Sequence, residues 1–279
     1  MRDAECVEFL QWALPQLRLR WAGFRRVRRQ VCKRIARRLR ALDLRDVRAY
    51  REHLERHSEE WETLDALCRI SISRFRRDRA VFDALGGRVL PGLIELARGR
   101  QDRELRCWGA GGAAGEEAYT LKLLWEIRLR PSAPDLDLRV TATDVDENLL
   151  QRARVAEFER SSLKELPAEW LSIGFEPAEG GYRLLPRFRE GIEFLAQDIR
   201  RDAPDGPFHL VLCRNLAFTY FDASLQRAVL RRIAGRLVPG GALVVGVHES
   251  LPDAAWEFSP WEERSGIHRR RGRAEAGGH

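Results

Sequence analysis

The chain has 279 residues, of which 44% are hydrophobic and 33% charged, with a net charge of +7 and a sequence pI near 9.6. That length is enough for one large domain or two small domains with a buried core. No apolar run reaches the roughly eighteen residues of a membrane span, and the first residues lack the pattern of an export signal. We therefore expect a cytoplasmic protein with no membrane insertion.

The cysteines are scattered and form no CxxC pair. Their odd number and their spacing favour reduced thiols and give no support to a metal site. The five positions are Cys6, Cys32, Cys68, Cys107 and Cys213.

Residues 1–68 predict a small all-α domain. Apolar residues recur at helical spacing in two stretches, first as Val31, Ile35, Leu39 and Leu42 and then, in residues 45–61, as Val47, Tyr50, His53 and Leu54. Residues 18–48 carry twelve arginines and one lysine against two aspartates. This local positive charge suits an acidic partner or nucleic acid, and it is equally compatible with a solvated helix face.

From about residue 88 short strand-like runs alternate with amphipathic helices. This alternation predicts an α/β domain with a parallel sheet, and ligands of such sheets bind beyond the carboxyl ends of the strands. Residues 69–87 would link the two domains. Two strand-like pieces at 182–188 and 191–198 interrupt the alternation and suggest a small antiparallel insertion.

Residues 109–114 read GAGGAA after a strand-like run and fit the G-x-G-x-x-G/A pattern of a nucleotide-binding turn. Dinucleotide, flavin and S-adenosylmethionine sites share this pattern. Glu116 and Glu117 follow the turn directly. They would repel a pyrophosphate and attract a ligand with ammonium and sulfonium groups, although an acid in a first helical turn also complements the helix dipole. The acids therefore favour S-adenosylmethionine.

Acids also end two later strand-like runs. Asp144 stands where a nucleotide-binding sheet places a carboxylate for the ribose hydroxyls. Asp146 fits as a cap of the helix that begins at Glu147. Asp198 ends another run, at a position from which an acid or amide can reach the amino group of adenine.

Residues 207–222 combine an apolar strand with polar groups after its carboxyl end, namely Arg214, Asn215, Tyr220 and Asp222. Substrate would meet cofactor at such a position, while Tyr220 and Phe221 are also compatible with packing as core aromatics. The chain has no Asn/Asp-Pro-Pro-aromatic motif in this segment and no Pro-Cys nucleophile. We therefore expect no nucleic-acid base as substrate.

In order along the chain, these motifs resemble those of the CheR family, the chemotaxis-receptor glutamate methyltransferases. The resemblance covers about residues 31–251 and is carried by RRLRALDLRDVRAYREHLE, ISISRFRRD with VFDAL, GAAGEEAYTL, ATDVDENLLQRAR, PFHLVLCRN with FTYFD, and VPGGALVVGVHESL. It implies an all-α domain at 1–68 and a linker at 69–87. A Rossmann-like class I methyltransferase sheet domain would occupy 88–279, with a small antiparallel β insertion at about 170–195.

The resemblance also implies the cofactor, S-adenosylmethionine, and the residues that bind it. They belong to the linker, the glycine turn and the strand ends, and are Ser71, Ser73, Arg77, Gly109, Gly111, Glu117, Asp144, Asp198, Ile199, Asn215 and Leu216. Arg77 and Tyr220 would be the catalytic pair. Ser71 and Ser73 replace the family's usual Asn and Thr, and the spacing from Asn215 to Tyr220 exceeds the family norm, so we expect a reshaped acceptor loop.

The implied reaction is methyl transfer to glutamate side-chain carboxylates of a protein, with S-adenosylhomocysteine as product. A carboxylate is ionised at neutral pH, so the acceptor needs no general base. The arginine-rich helix around Arg34 to Arg40 would dock an acidic helical segment of the substrate. Alternatives at this point are a CheR-like methyltransferase with a non-chemotaxis protein or small-molecule acceptor, a non-catalytic S-adenosylmethionine-binding regulatory module, and a nucleic-acid methyltransferase.

Overall fold

The computed structural model describes residues 2–252, 256–261 and 266–272. Two compact units divide the chain: Met1–Ser71 with Thr219–Gln226, and Ile72–Phe218 with Arg227–His279. The second unit therefore begins inside the predicted linker, and a short segment of the predicted sheet domain belongs to the first unit. Residues 273–279 of that predicted domain lie outside the described residues. Within the described ranges, no helix is long and apolar enough to cross a bilayer.

The first unit is helical. Its helices are α1 (Asp3–Gln16), α2 (Trp21–Phe24), α3 (Arg28–Ala41), α4 (Val47–Arg56) and α5 (Glu60–Cys68). The predicted stripe of Val31, Ile35 and Leu39 is buried on α3. The single helix predicted for residues 45–61 is wrong, because the chain becomes extended at His57 and a new helix begins at Glu60.

The late segment Thr219–Gln226 joins the first unit through the chain between α1 and α2. Leu19 and Phe221 form an isolated antiparallel bridge. Arg20 donates its backbone N–H to the carbonyl of Tyr220 at 2.8 Å, and Asp222 donates to the carbonyl of Arg18 at 2.8 Å. This short ladder ties two parts of the sequence that lie about 200 residues apart.

The prediction of five reduced thiols is wrong for two of the cysteines. Cys6 and Cys32 form a disulfide between α1 and α3. They are 26 residues apart in no recognisable spacing pattern, so only the packing of the two helices brings them together. Cys68, Cys107 and Cys213 are free and buried.

A buried hydrogen-bond network holds α3 against α5. Arg38 Nε donates to Glu60 Oε1 at 2.9 Å, and the hydroxyl of Tyr50 donates to the same oxygen at 2.7 Å. Burial by itself raises the pKa of Glu60, but the hydrogen bonds from Arg38 and Tyr50 outweigh it, and the pKa lies below its usual value. Two arginines of the predicted docking helix therefore have partners inside the unit, since Arg34 also donates to the carbonyl of Leu67 at 3.1 Å.

The second unit contains a seven-stranded sheet in the order β6-β2-β1-β7-β8-β10-β9. Its strands are β1 (Glu104–Ala110), β2 (Asp137–Asp144), β6 (Ile192–Ala196), β7 (Phe208–Leu212), β8 (Leu237–Val244), β9 (Phe258–Pro260) and β10 (Ile267–Arg270). The pairs from β6 through β8 are parallel, and β10 pairs antiparallel with both its neighbours. All five residues of β7 are buried, as in a central parallel strand covered on both faces. The predicted Rossmann-like α/β fold is confirmed.

Helices precede the first strand and connect the later ones. They are α6 (Arg79–Ala84), α7 (Leu90–Gly99), α8 (Glu116–Leu124), α9 (Glu147–Val155), α10 (Ala168–Gly174), α11 (Ala217–Tyr220) and α12 (Ala223–Arg236). Single π-helical turns follow α6 at Leu85–Val89 and α8 at Trp125–Leu129. Because β1, β2, β6 and β7 are parallel, their carboxyl ends lie along one edge of the sheet, as the predicted position of the site requires.

A separate three-stranded antiparallel sheet contains β3 (Glu157–Phe158), β5 (Gly181–Leu184) and β4 (Phe175–Ala178), in that order. The piece predicted at 182–188 contributes to it. The piece predicted at 191–198 does not, because Ile192–Ala196 pairs in parallel with β2 in the main sheet. The insertion therefore starts earlier and ends earlier than the predicted 170–195.

Candidate functional site

The glycine turn after β1 is fixed to the end of β2. Gly111 and Gly112 donate their backbone N–H groups to the carbonyl of Thr143 at 2.8 and 3.0 Å, and Ala113 donates to Asp144 Oδ2 at 2.9 Å. Gly111 has a φ of 77°, which a residue with a Cβ rarely adopts. The turn therefore has one defined shape, set by three hydrogen bonds to a neighbouring strand.

The glycines differ in what surrounds them. A Cβ on Gly111 would lie 2.6 Å from Leu216 Cδ2, and a Cβ on Gly112 would lie 3.2 Å from Ala142 Cβ. A Cβ on Gly109 would meet nothing within 4 Å. A Cβ at Gly111 or Gly112 would thus crowd its neighbours, whereas Gly109 leaves open space in which a ligand can approach the backbone. Leu216, which was predicted from the resemblance, lies against the turn.

Asp144 is half-buried at the carboxyl end of β2. Its Oδ1 accepts a hydrogen bond from the backbone of Asp146 at 3.0 Å, while its Oδ2 accepts the bond from Ala113. Burial raises the pKa of Asp144. Asp146 caps α9 as predicted, with Oδ1 accepting from the backbone of Asn148 at 3.0 Å.

Glu117 forms an ion pair with Arg214, one of the polar groups that the sequence places after β7 but that was not among the predicted cofactor-binding or catalytic residues. Arg214 Nη1 donates to Glu117 Oε2 at 2.6 Å, and Arg214 Nη2 donates to Asp78 Oδ2 at 2.7 Å and to the carbonyl of Arg77 at 2.9 Å. The Arg214 side chain is only 3% exposed. The one signal in the sequence was an arginine directly after the apolar run of β7.

Glu116 does not present a free charge to a ligand, which corrects part of the argument from the paired acids. It is buried, and burial raises the pKa of its carboxyl group, although hydrogen bonds from Ser73 and Ser162 act in the opposite direction. Its Oε2 atom is buried without a hydrogen-bond partner in the described structure. Ser73, predicted to touch the cofactor, therefore lies close to the first helical turn of α8.

Arg77 lies in the segment before α6 and is half-buried. Its Nη1 donates to the carbonyl of Ile72 at 2.7 Å, so the guanidinium is held by its own segment. Arg76 precedes it in the left-handed conformation, with a φ of 50°, and donates its backbone N–H to the hydroxyl of Thr120 on α8 at 3.0 Å. The segment that carries Arg77 is thereby attached to the helix that carries Glu117.

Asp198 and Ile199 follow β6. Both carboxylate oxygens of Asp198 accept hydrogen bonds from Arg200 Nε, at 3.0 and 2.9 Å, and Oδ1 also accepts the backbone N–H of Arg200 at 2.9 Å. Ile199 is buried, and its carbonyl accepts from Arg232 on α12 at 2.7 Å. Arg200 was not anticipated as the partner of the carboxylate predicted to bind adenine.

Asn215 follows β7 in the left-handed conformation, with a φ of 54°. Its backbone N–H donates to Glu249 Oε2 at 2.8 Å. The segment after β8 thus contributes a carboxylate to the edge of the sheet that the sequence did not single out.

Most of the predicted site residues belong to the second unit and lie at this edge or in the segment before α6. Ser71 and Tyr220 belong to the first unit. Within that unit the Tyr220 ring packs against Phe24 with centroids 5.0 Å apart, and a Cβ on Gly23 would lie 3.1 Å from Tyr220 Cδ1.

The second unit therefore has the features of one class of enzyme. A parallel sheet, a glycine turn with open space at Gly109 and acids at the ends of β2 and β6 are all features of the S-adenosylmethionine-dependent methyltransferases of the Rossmann-like class I type.

Comparison with known proteins gives the family. The family model described as CheR methyltransferase, SAM binding domain, matches residues 71–267. The chemotaxis protein methyltransferase of Salmonella typhimurium is 32% identical, over 83% of this chain and 79% of its own. The chain is also similar to the chemotaxis protein methyltransferase of Escherichia coli, with 31% identity over 83% of this chain and 80% of that protein. It is 31% identical to the chemotaxis protein methyltransferase of Listeria monocytogenes, over 73% of this chain and 74% of that protein. The chain belongs to the CheR methyltransferase family.

The residues at the edge of the sheet fit S-adenosylmethionine, which is the cofactor. The open face of Gly109 admits a ligand close to the backbone, and Asp144 and Asp198 supply acceptors for hydroxyl and amino donors. Glu117 and Asp78 together carry one more negative charge than Arg214 neutralises, and this excess suits a ligand with cationic groups.

Proposed function

We propose that this protein transfers methyl groups to glutamate side-chain carboxylates of a chemoreceptor-like protein. The observation that carries the proposal is the family match over residues 71–267, together with relatives named chemotaxis protein methyltransferases. The cofactor supplies an electrophilic methyl group: a carboxylate oxygen forms the new bond to carbon, the carbon–sulfur bond breaks, and its electron pair stays on sulfur.

The role of the chain is to orient the acceptor. Because a glutamate carboxylate is already ionised at neutral pH, the protein need only hold it in line and exclude competing nucleophiles. We assign Arg77 to the acceptor carboxylate, which a guanidinium can bind through two parallel hydrogen bonds. Tyr220 is assigned a supporting hydrogen bond to the acceptor.

The exposed face of α3 supports an acidic helical segment as the docking site on the substrate. Lys33, Arg37 and Arg40 are exposed and recur at helical spacing, on the side opposite the buried Val31, Ile35 and Leu39. Arg34 and Arg38 are excluded from this role because their guanidinium groups bond inside the unit. The docking prediction is therefore narrowed from the whole helix to three positions.

The test of the reaction is base lability of the product. The protein is incubated with methyl-labelled S-adenosylmethionine and a chemoreceptor cytoplasmic fragment or lysate protein, and the labelled protein is then treated with mild alkali. A glutamate methyl ester releases volatile methanol. A base-stable label would exclude the carboxylate acceptor, label only on small molecules would favour another acceptor, and binding without transfer would favour a regulatory module.

Docking is tested separately from chemistry by the Arg37→Glu, Arg40→Glu double variant. We expect a higher KM for the protein substrate and an unchanged KM for the cofactor, with the effect shrinking at high ionic strength. The matched control is Arg56→Glu, an exposed arginine on α4 of the same unit. An equal effect of the control would refute the role of α3.

A further inference from the structure

A carboxylate after β8 joins the ends of two neighbouring parallel strands. Glu249 Oε2 accepts the backbone N–H of Asn215 at 2.8 Å and the backbone N–H of Gly246 at 2.6 Å. Asn215 follows β7 and Gly246 follows β8, and these strands pair in parallel. The backbone N–H of Glu249 itself donates to the carbonyl of Gly246 at 2.8 Å, which closes a tight turn around the carboxylate.

A side chain at position 246 would crowd this place. A Cβ on Gly246 would lie 2.9 Å from Glu249 Oε2 and 3.0 Å from Asn215 Oδ1. Two side-chain oxygens therefore converge on one glycine. The Asn215 side-chain oxygen lies close to Gly246, and the Asn215 backbone is held by the hydrogen bond to Glu249.

Asn215 needs such a support. Its φ of 54° lies in the left-handed region, which is unfavourable for a residue with a Cβ, although Asn tolerates it better than most. A carboxylate that accepts two backbone N–H groups makes charge-assisted bonds, which are stronger than neutral ones. Removing it would leave two donors without their acceptor and would let Asn215 leave the left-handed conformation.

We infer that Glu249 is a positioning residue for the cofactor, acting through Asn215. The inference rests on the proposed contact of Asn215 with S-adenosylmethionine. Glu249 fixes the backbone and hence the side-chain direction of Asn215, so its loss weakens cofactor binding. Once the cofactor is bound, the acceptor and Arg77 are unaffected, so the KM for the cofactor changes more than kcat.

The test compares Glu249→Ala, Glu249→Gln and the control His248→Ala, an exposed neighbour. Binding of S-adenosylmethionine is measured by calorimetry and needs no acceptor, so a failed methyl-transfer assay does not affect the result. We expect about tenfold weaker binding for Glu249→Ala, as for the loss of one charge-assisted hydrogen bond. Glu249→Gln keeps an acceptor oxygen and should recover most of the affinity, while His248→Ala should bind like the parent.

A double-variant cycle separates positioning from a general loss of stability. Asn215→Gly removes the side chain and tolerates the left-handed conformation. Adding Glu249→Ala to Asn215→Gly should weaken binding by less than twofold if Glu249 acts through Asn215. A full tenfold loss in that background, or unchanged binding in the Glu249→Ala single variant, would overturn the inference.

Discussion

Arg214 and Glu117 form an ion pair of 2.6 Å between the end of β7 and the first turn of α8. The guanidinium also bonds to Asp78 and to the carbonyl of Arg77, and its side chain is almost completely buried. One arginine thus connects three segments that carry predicted cofactor and catalytic residues. The position of Arg77 relative to Glu117 depends on a residue that touches both segments.

Replacing Arg214 with Gln should therefore be costly. It leaves Glu117 and Asp78 without their cation, and breaking a buried ion pair from one side destabilises a protein by about 3 kcal/mol or more. Arg214→Lys keeps the charge but cannot reproduce the fork that reaches two carboxylates, so we expect partial loss. Urea unfolding measures the change in stability of each variant, and calorimetry measures its affinity for the cofactor. A stable, fully binding Arg214→Gln variant would contradict this assignment.

Arg77→Ala should separate binding from transfer. We expect the rate of methyl transfer to fall by about a hundredfold, because the acceptor carboxylate loses its orienting partner. Cofactor affinity should fall much less. Arg79→Ala is the control, since Arg79 is exposed and lies two residues away. If the Arg77→Ala variant transferred methyl groups at the parent rate, Arg77 would not be the residue that orients the acceptor carboxylate.

The Glu60 network predicts a pH dependence of stability. Because the pKa of Glu60 lies below its usual value of 4.5 in the folded state, the unfolded state binds the proton more tightly. Its stabilising contribution is therefore present above about pH 4.5 and is lost as the pH falls through the lowered folded pKa. Thermal unfolding at several acidic pH values should show a steeper decline for the parent than for Glu60→Gln. The exposed neighbour Glu59→Gln should follow the parent.

The disulfide between Cys6 and Cys32 predicts a redox-dependent stability. In the entropic model, closing a loop of 26 residues in the unfolded chain stabilises the folded state by about 3.5 kcal/mol. The double variant Cys6→Ser, Cys32→Ser should be less stable by roughly that amount and insensitive to reductant. The parent should lose the same stability when reduced. Identical melting of the parent with and without dithiothreitol would show that the bond does not form.

How well a feature could be predicted from the sequence depends on how far apart along the chain its interacting residues lie. The glycine turn, the acid that ends β2 and the cap at Asp146 are local patterns, and each has the expected place in the fold. Arg214 meets Glu117 across 97 residues and Glu249 meets Asn215 across 34, and no local pattern encodes such pairs. Residues 192–196 were assigned to the wrong sheet for the same reason, because an alternating strand does not specify its partner.

The ladder between residues 18–20 and 220–222 also constrains how the protein is made. Arg20 is synthesised 199 residues before Thr219, to whose carbonyl its side chain donates. At typical translation rates the helical unit waits on the order of 10 s for its last segment to be translated. The helical unit therefore cannot complete its fold until most of the other unit has been synthesised. A fragment ending near residue 71 would lack Phe221, the bridge partner of Leu19. A stable fragment of the helical unit therefore requires residues 219–226 to be fused to it.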